Sequence, residues 1–226
     1  VYPPVNVLGI DGALNGFSVA VAGGGSILAD RFEPGNVALE SGLPAVAAVL
    51  REARVAAQAL DRIAVGCGPG GFTGLRIAIS YAKSLAQAWD RPLVAIDSFD
   101  LLEHGSRLDR VLTVILGRQG VISARLRDGD RITRASGWVA DVLQELGSAL
   151  RRAQGDAEPL PVLGAPEDVL GALAERAIAV SPVIPSVVPA ACAAALAAPT
   201  LEPASNVHAV RADYGELPAA RVPRLK

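Results

Sequence analysis

The sequence predicts a mixed α/β protein, and three observations carry that expectation. Of the 226 residues 51% are hydrophobic and only 19% charged, enough apolar surface to bury a core and too little charge for a disordered chain. The first third contains three short apolar segments of strand length joined by tight turns. After them, helix-period and strand-length apolar patterns alternate, the rhythm of parallel strands joined by crossover helices.

Val5-Asn6-Val7-Leu8-Gly9-Ile10-Asp11 reads as the first strand, and Asp11-Gly12 is a turn signal. Phe17–Val21 alternates as a second strand, Gly23-Gly24-Gly25 makes a hairpin turn, and a third strand follows through about Ile27–Phe32. Helical periodicity runs from about Pro44 to Leu60; proline suits a first helical turn, so Leu39–Leu43 is expected as a separate or kinked segment. Asp61–Gly66 is a short strand, Leu75–Trp89 a second helix, Pro92–Ile96 a further strand and Phe99–His104 a short helix. Beyond residue 106, Val111–Leu116 and Val121–Arg127 pair as strands around Gly117–Gly120. Ala140–Arg152 is helical, Pro161–Gly164 with Glu167–Leu173 repeats a strand-then-helix unit, and Ala190–Ala198 is an Ala-rich helix between prolines. The expected division is an N-terminal unit, 1–106, and a smaller C-terminal α/β unit, 107–226, with its Pro-rich tail from about Pro199 lying across the surface or free.

The feature that bears on chemistry is Gly68-Pro69-Gly70-Gly71-Phe72-Thr73-Gly74, between a strand and a helix. Glycines before a helix allow backbone N–H groups to converge on an anion or nucleotide; a tight turn with nothing bound is the plain alternative. A phosphate-binding P-loop needs a Lys directly after the glycines, and none follows until Lys83. Gly66-x-Gly68-x-x-Gly71 matches a dinucleotide fingerprint in form, with Asp97 in the place of the ribose-binding acid. That fingerprint belongs after the first strand of a parallel unit, whereas a meander and a helix come first here. A helix terminus contributes about 0.3–1 kcal/mol to a nearby anion and about 2 at most, so such a loop needs further walls to hold a nucleotide.

Composition excludes several functions. A net charge of −2 and no basic stripe argue against nucleic-acid binding by this chain alone. Two distant cysteines, Cys67 and Cys192, make no disulfide framework or CxxC site and fit a reducing cytoplasm. The opening Val1-Tyr2-Pro3-Pro4 lacks the basic residues of a secretory signal, and no apolar run approaches the roughly 18 residues of a membrane span. His104 and His208, the only two histidines, make no catalytic metal set, for which about three protein ligands are usual. Cys67 beside the glycine loop is the sole candidate nucleophile, without a His near it in sequence. Asp11, as the start of an Asp-Gly turn, needs no catalytic role.

The order β-β-β-α-β-α-β-α resembles the actin/Hsp70/sugar-kinase (ASKHA) domain, a duplicated α/β fold with a mixed sheet and crossover helices. More specifically, GPGGFTGLRIAISYAKSLAQAWDRPLVAIDSFDLL (68–102) is similar to the GPGSFTGxRIG…AKxLA…PLxxxSSLxxL hallmark of TsaB proteins, with Gly71 for Ser and Ala78 for Gly. LGIDGALNGFSVAVA (8–22) resembles the family's LxIDTSTxxxSVAL opening without its turn hydroxyls. LESGLPAVAAVLREA (39–53) resembles its HSExLLPxIxxLLxxA helix without the His. Leu116-Gly117-Arg118-Gln119-Gly120-Val121 stands at the family's DARxxEVY strand pair, lacking the DA and the Glu.

The resemblance implies a non-catalytic subunit that pairs with TsaD, the paralogue that transfers threonylcarbamoyl to adenosine in ANN-decoding tRNAs, helped by the TsaE ATPase. It implies no cofactor of its own, ATP or ADP at the partner interface at most, tRNA contact only through the complex, and a homodimer when alone. TsaD carries a metal-binding HxxxH, and Ser98 and Leu102 stand at those positions here. The helix Leu75–Trp89 holds only Arg76 and Lys83 as charges, so its narrow polar face suggests either burial or a partner. Leu75, Arg76, Ala78, Ile79, Ala82, Lys83, Ala86, Val49 and Ala56 are the expected interface residues, with Ala82→Glu as the disrupting change. A stand-alone ASKHA-type ATPase or phosphotransferase, and a dinucleotide-binding module, are the alternative functions.

Overall fold

In the computed structural model, which describes residues 5–14, 16–35, 38–117, 120–155 and 158–215, the chain forms two five-stranded mixed sheets of the same topology. The first is ordered β3-β2-β1-β4-β5, from β1 (Val7–Asp11), β2 (Gly16–Gly23), β3 (Ser26–Pro34), β4 (Arg62–Gly66) and β5 (Leu93–Ile96). Its meander is antiparallel, Leu8 opposite Val21, and β4 and β5 add parallel, Leu8 beside Ile63. The second is ordered β10-β9-β6-β7-β8, from β6 (Arg110–Leu116), β7 (Val121–Asp128), β8 (Arg131–Trp138), β9 (Leu160–Leu163) and β10 (Val180–Val183). Its meander β6-β7-β8 is again antiparallel and its extension β9-β10 again parallel. This repeated order is the duplicated ASKHA-like architecture.

Each face of the first sheet is apolar, because its central strands alternate apolar side chains on both sides. Leu8, Ile10, Val19, Ile63 and Val65 pack under α1 (Ala38–Ala53) and α2 (Phe72–Trp89), meeting Val46, Val49, Leu75, Ala78 and Ala82. Val7, Ala20, Ala64 and Val94 pack under α7 (Ala190–Ala197). That helix, from the far end of the chain, returns to the first sheet. A Cβ at Gly9 would lie 2.1 Å from the Ala191 carbonyl oxygen, so the helix rests directly on the strand backbone. Its alanines suit such an approach, since larger side chains would hold it off. Residues beyond it pass along the β5 edge to the opposite face of that sheet: the Ala204 N–H donates to the Leu93 carbonyl at 2.8 Å, and Val210 is buried in the core under α1 and α2.

The second sheet covers one face only with apolar helices. Leu112, Val114, Ile122, Ala124 and Leu126 pack under α4 (Val139–Glu145), α5 (Gly147–Gln154) and α6 (Glu167–Ala174). The other face presents Thr113, Ser123, Arg125 and Arg127 to α3 (Ser98–Glu103), where Glu103 accepts from Thr113 and both arginines.

Three local expectations change. Leu39–Leu43 is not a separate segment: α1 runs through it unbroken with Pro44 inside, and it ends at Ala53 rather than Leu60, a separate 3-10 turn covering Ala57–Ala59. The missing N–H costs one helical bond, offset by packing that seats Tyr81 of α2 against Gly42, its hydroxyl donating to the Leu39 carbonyl at 2.9 Å. The second helix begins at Phe72, three residues early, so Phe72-Thr73-Gly74 is its first turn rather than loop. The helix expected over Ala140–Arg152 is two helices, α4 and α5, meeting at Leu146.

Candidate functional site

The chain folds the glycine segment onto the β1–β2 turn, backbone against backbone. A Cβ at Gly74 would stand 2.1 Å from the Gly12 carbonyl oxygen, and one at Gly12 would stand 2.4 Å from that of Gly74. Gly70, at φ +155°, has room for no Cβ either, with the Ala13 carbonyl oxygen 2.3 Å away. The Gly71 N–H donates to that same Ala13 oxygen at 2.8 Å, so it is already used inside the chain. On the other side the Gly68 carbonyl accepts from Ser98 N–H at 2.7 Å, and Pro69 follows in a cis peptide. Of the seven expected residues, Gly71, Phe72, Thr73 and Gly74 line a cleft, while Gly68, Pro69 and Gly70 are absent from its walls.

That cleft, about 380 Å³, is closed by Gly12, Ala13, Gly16, Gly35, Ala38, Ile77, Leu116 and Gly117. Among these described walls only Thr73 offers a side-chain hydroxyl, and none carries a charge. A nucleotide triphosphate needs cations or metal-holding carboxylates around it, and the described walls do not fit one. Asn15, Arg118 and Gln119 lie outside the described residues.

Asp11 stands beside this cleft without lining it. Its Oδ2 accepts the N–H groups of Ala13 and Leu14, at 3.1 Å each, which fastens the turn. Its Oδ1 is buried and unpaired among the described residues, turned toward Gly66, where a Cβ would lie 2.1 Å from it. Burial pushes this carboxyl up to about 6, against the two N–H bonds, which pull it down. Burial, with Asp97 and Asp213 nearby, likewise pushes the Cys67 thiol up to about 11, so it is no activated nucleophile. Cys192, buried under the first sheet, is pushed up to about 12. Ser98 is buried with its hydroxyl unpaired among the described residues, Leu102 is half-buried, and His208 is exposed on the far end of the chain from His104. No three His, Cys, Asp or Glu side chains converge among the described residues.

The expected interface residues divide sharply. Leu75, Ala78, Ile79, Ala82, Ala86 and Val49 are buried in the first core, so they cannot face a partner, and Ala82→Glu would disrupt the fold itself. Arg76 and Ala56 are exposed and Lys83 half-buried. The apolar pattern of α2 belongs to two stripes: one fills the core, and a second, opposite one runs outward through Ile77 and Tyr81. With Leu39, Phe72, Thr73, Arg76 and Ser80 these form a groove of about 330 Å³ between α1 and α2. Leu39 is 66% exposed, Leu43 48% and Phe72 54%. The i, i+4 pairs Leu39/Leu43 and Ile77/Tyr81 were the available sequence signal for this groove. It is continuous with the cleft, since Phe72, Thr73 and Ile77 line both.

Known proteins resemble the chain in sequence and in fold. Residues 39–159, more than half of the chain, match the family model described as TsaD: tRNA N6-adenosine threonylcarbamoyltransferase. The chain is 37% identical over 82 residues to the tRNA threonylcarbamoyladenosine biosynthesis protein TsaB of Bacillus subtilis, covering 35% of this chain and 36% of that one. It is 29% identical over 122 residues to TsaB of Escherichia coli, covering 52% and 53%. Among solved structures, YeaZ from Pseudomonas aeruginosa superposes with a TM-score of 0.69 at 25% identity, covering 92% of this chain and 100% of that one. The chain thus spans between about a third and about half of the TsaB sequences it matches. No helix among the described residues is long and apolar enough to cross a membrane.

Proposed function

We propose that this chain, which belongs to the tRNA N6-adenosine threonylcarbamoyltransferase (TsaD) family and to its TsaB/YeaZ branch, is a non-catalytic subunit that holds a TsaD-type enzyme in its active arrangement. The observation that carries this reading is the exposed apolar groove between α1 and α2. Leaving a Leu or Phe exposed rather than buried forgoes about 1.5–3 kcal/mol each; Leu39 and Phe72 line the groove, and Leu43 is exposed one turn along α1 from Leu39. A matching apolar helix pair on a partner of the same fold covers it, so the free chain pairs with its own copy and exchanges that copy for the enzyme. The tRNA and the TsaE ATPase are then engaged through the complex, and any ATP or ADP sits against the partner rather than in a cleft whose described walls carry no charge.

The test mixes the purified chain with the TsaD homologue of the same organism and measures mass by light scattering after gel filtration. A heteromer forming at the expense of a homodimer is expected, together with tRNA modification once TsaE and ATP are added. Leu39→Glu and Leu43→Glu should abolish association while leaving the melting temperature within a few degrees, because both side chains lie outside the core. Association that survives both changes, or nucleotide turnover by the lone chain, overturns the reading.

A further inference from the structure

Besides the segment that leads from β10 back to α7, two sets of contacts among the described residues, on different elements, fasten the halves of the molecule to each other. The first is α3, which follows β5 of the first sheet. Its Ser98 N–H is tied to the glycine loop and its Leu101 belongs to the core under α7. From its outer face, Glu103 takes the Thr113 hydroxyl at 2.6 Å and Arg125 Nε at 3.1 Å on one oxygen, and Arg127 at 2.8 and 3.0 Å on the other. Asp100 accepts from Arg125 at 2.7 Å, and Asp97 pairs with Arg134 at 2.9 Å. The Phe99 ring lies under both Arg125 and Arg134, about 5 Å from each guanidinium. Arg125 is 1% exposed. The second point is the tail. The Asp213 N–H donates to the Cys67 carbonyl at 2.7 Å, behind the glycine loop, and the Tyr214 ring lies 4.9 Å from that of Phe72. Gly215, at φ +70°, sits between the halves: a Cβ there would be 2.2 Å from Ser123 Oγ of β7 and 3.0 Å from Pro69 of the loop.

We propose that these contacts form a two-point clamp that makes the halves one rigid body, so the cleft between them does not close on a ligand. Hinge closure in two-lobed proteins needs a connecting element that absorbs backbone rotation. Here the first of the two connections is bolted to the second sheet through α3, and rotating it would part a buried arginine from both its carboxylates, leaving that charge uncompensated. The strap at 213–215 closes the loop side in the same sense. The inference concerns the free chain and does not depend on any partner.

Spin labels at Arg51→Cys on α1 and Asp130→Cys on the β7–β8 turn, both exposed, report on the two halves in a Cys67→Ala, Cys192→Ala background. Diluted with unlabelled chain, the doubly labelled protein should give one narrow distance distribution that magnesium-ATP does not move. Asp100→Asn with Glu103→Gln should broaden it at the α3 point, and Gly215→Val should do so at the strap. Should the first pair fail to fold, Gly215→Val reads the clamp by itself. A parent distribution that is bimodal or shifts with magnesium-ATP overturns the clamp, as do folded variants as narrow as the parent.

Discussion

In the first sheet, the central strand β1 sends Leu8 and Ile10 to one helical layer and Val7 and Gly9 to another, with only Asp11 polar at its end. In the second, the matching strand β6 sends Leu112 and Val114 to a helical layer, but Thr113 to a set of charged groups. The strand order is the same; what lies on the second face differs. One is sealed by alanines at backbone contact, the other by arginines and carboxylates. The topology therefore fixes where a helix can dock, and the residues of the alternate face decide whether it docks by close approach or by charge.

The largest expected effect tests the charged face. Glu103→Ala removes the acceptor shared by Thr113, Arg125 and Arg127 and should cost about 3–5 kcal/mol in urea unfolding. A loss below 1 kcal/mol would mean that the pairs are solvated in solution. Next comes Asp11, whose carboxyl is raised on folding from 3.8 to about 6. The folded state favours the protonated form, so this group supports stability most at low pH and that support is lost as pH rises from about 4 through about 6. Relative to Asp11→Asn, the parent should lose about 2 kcal/mol between pH 4 and pH 7; parallel stability curves for the two proteins would refute this.

The close-approach face gives a smaller effect. Gly9→Ala drives a methyl into the Ala191 carbonyl and should cost about 1–3 kcal/mol, as overpacking does, with hydrogen exchange rising first in α7. An equal rise in α4 to α6 would show that the two sheets do not differ in this respect. Smallest is Gly71→Ser. No atom comes within 3.6 Å of a Cβ there, and the residue is the N-cap of α2. A hydroxyl at that position should add a few tenths of a kcal/mol, read as a small rise in melting temperature, and a fall would place Gly71 under a constraint other than space.

Much of the first sheet was legible because its strands and helices are apolar at the right periods and its turns carry glycine. β8 was not: Arg131, Thr133, Arg134, Ser136 and Gly137 give no alternation, since it is an exposed edge strand. β10 was hidden by Pro182, which an edge strand tolerates. The glycine loop was legible as a loop, but its contact with Gly12 and Ala13 joins residues about sixty apart, and no local pattern records it. For the same reason the buried stripe of α2 was taken for its outward one: both are apolar, and only the packed sheet distinguishes Ala82 from Ile77. The partnership of Glu103 with Arg125 and Arg127 reads in sequence as scattered surface charge.

The return of α7 to the first sheet sets an order for synthesis. β1 to β5 are complete by Ile96, yet Val7, Ala20, Ala64 and Val94 stay uncovered on one side until Ala190–Ala197 has emerged from the ribosome. While the second sheet is being made, the first waits as a half-sealed layer with a flat, alanine- and valine-lined surface facing water. A chain stalled or cut before residue 190 would keep every strand of that sheet and still expose an aggregation-prone face.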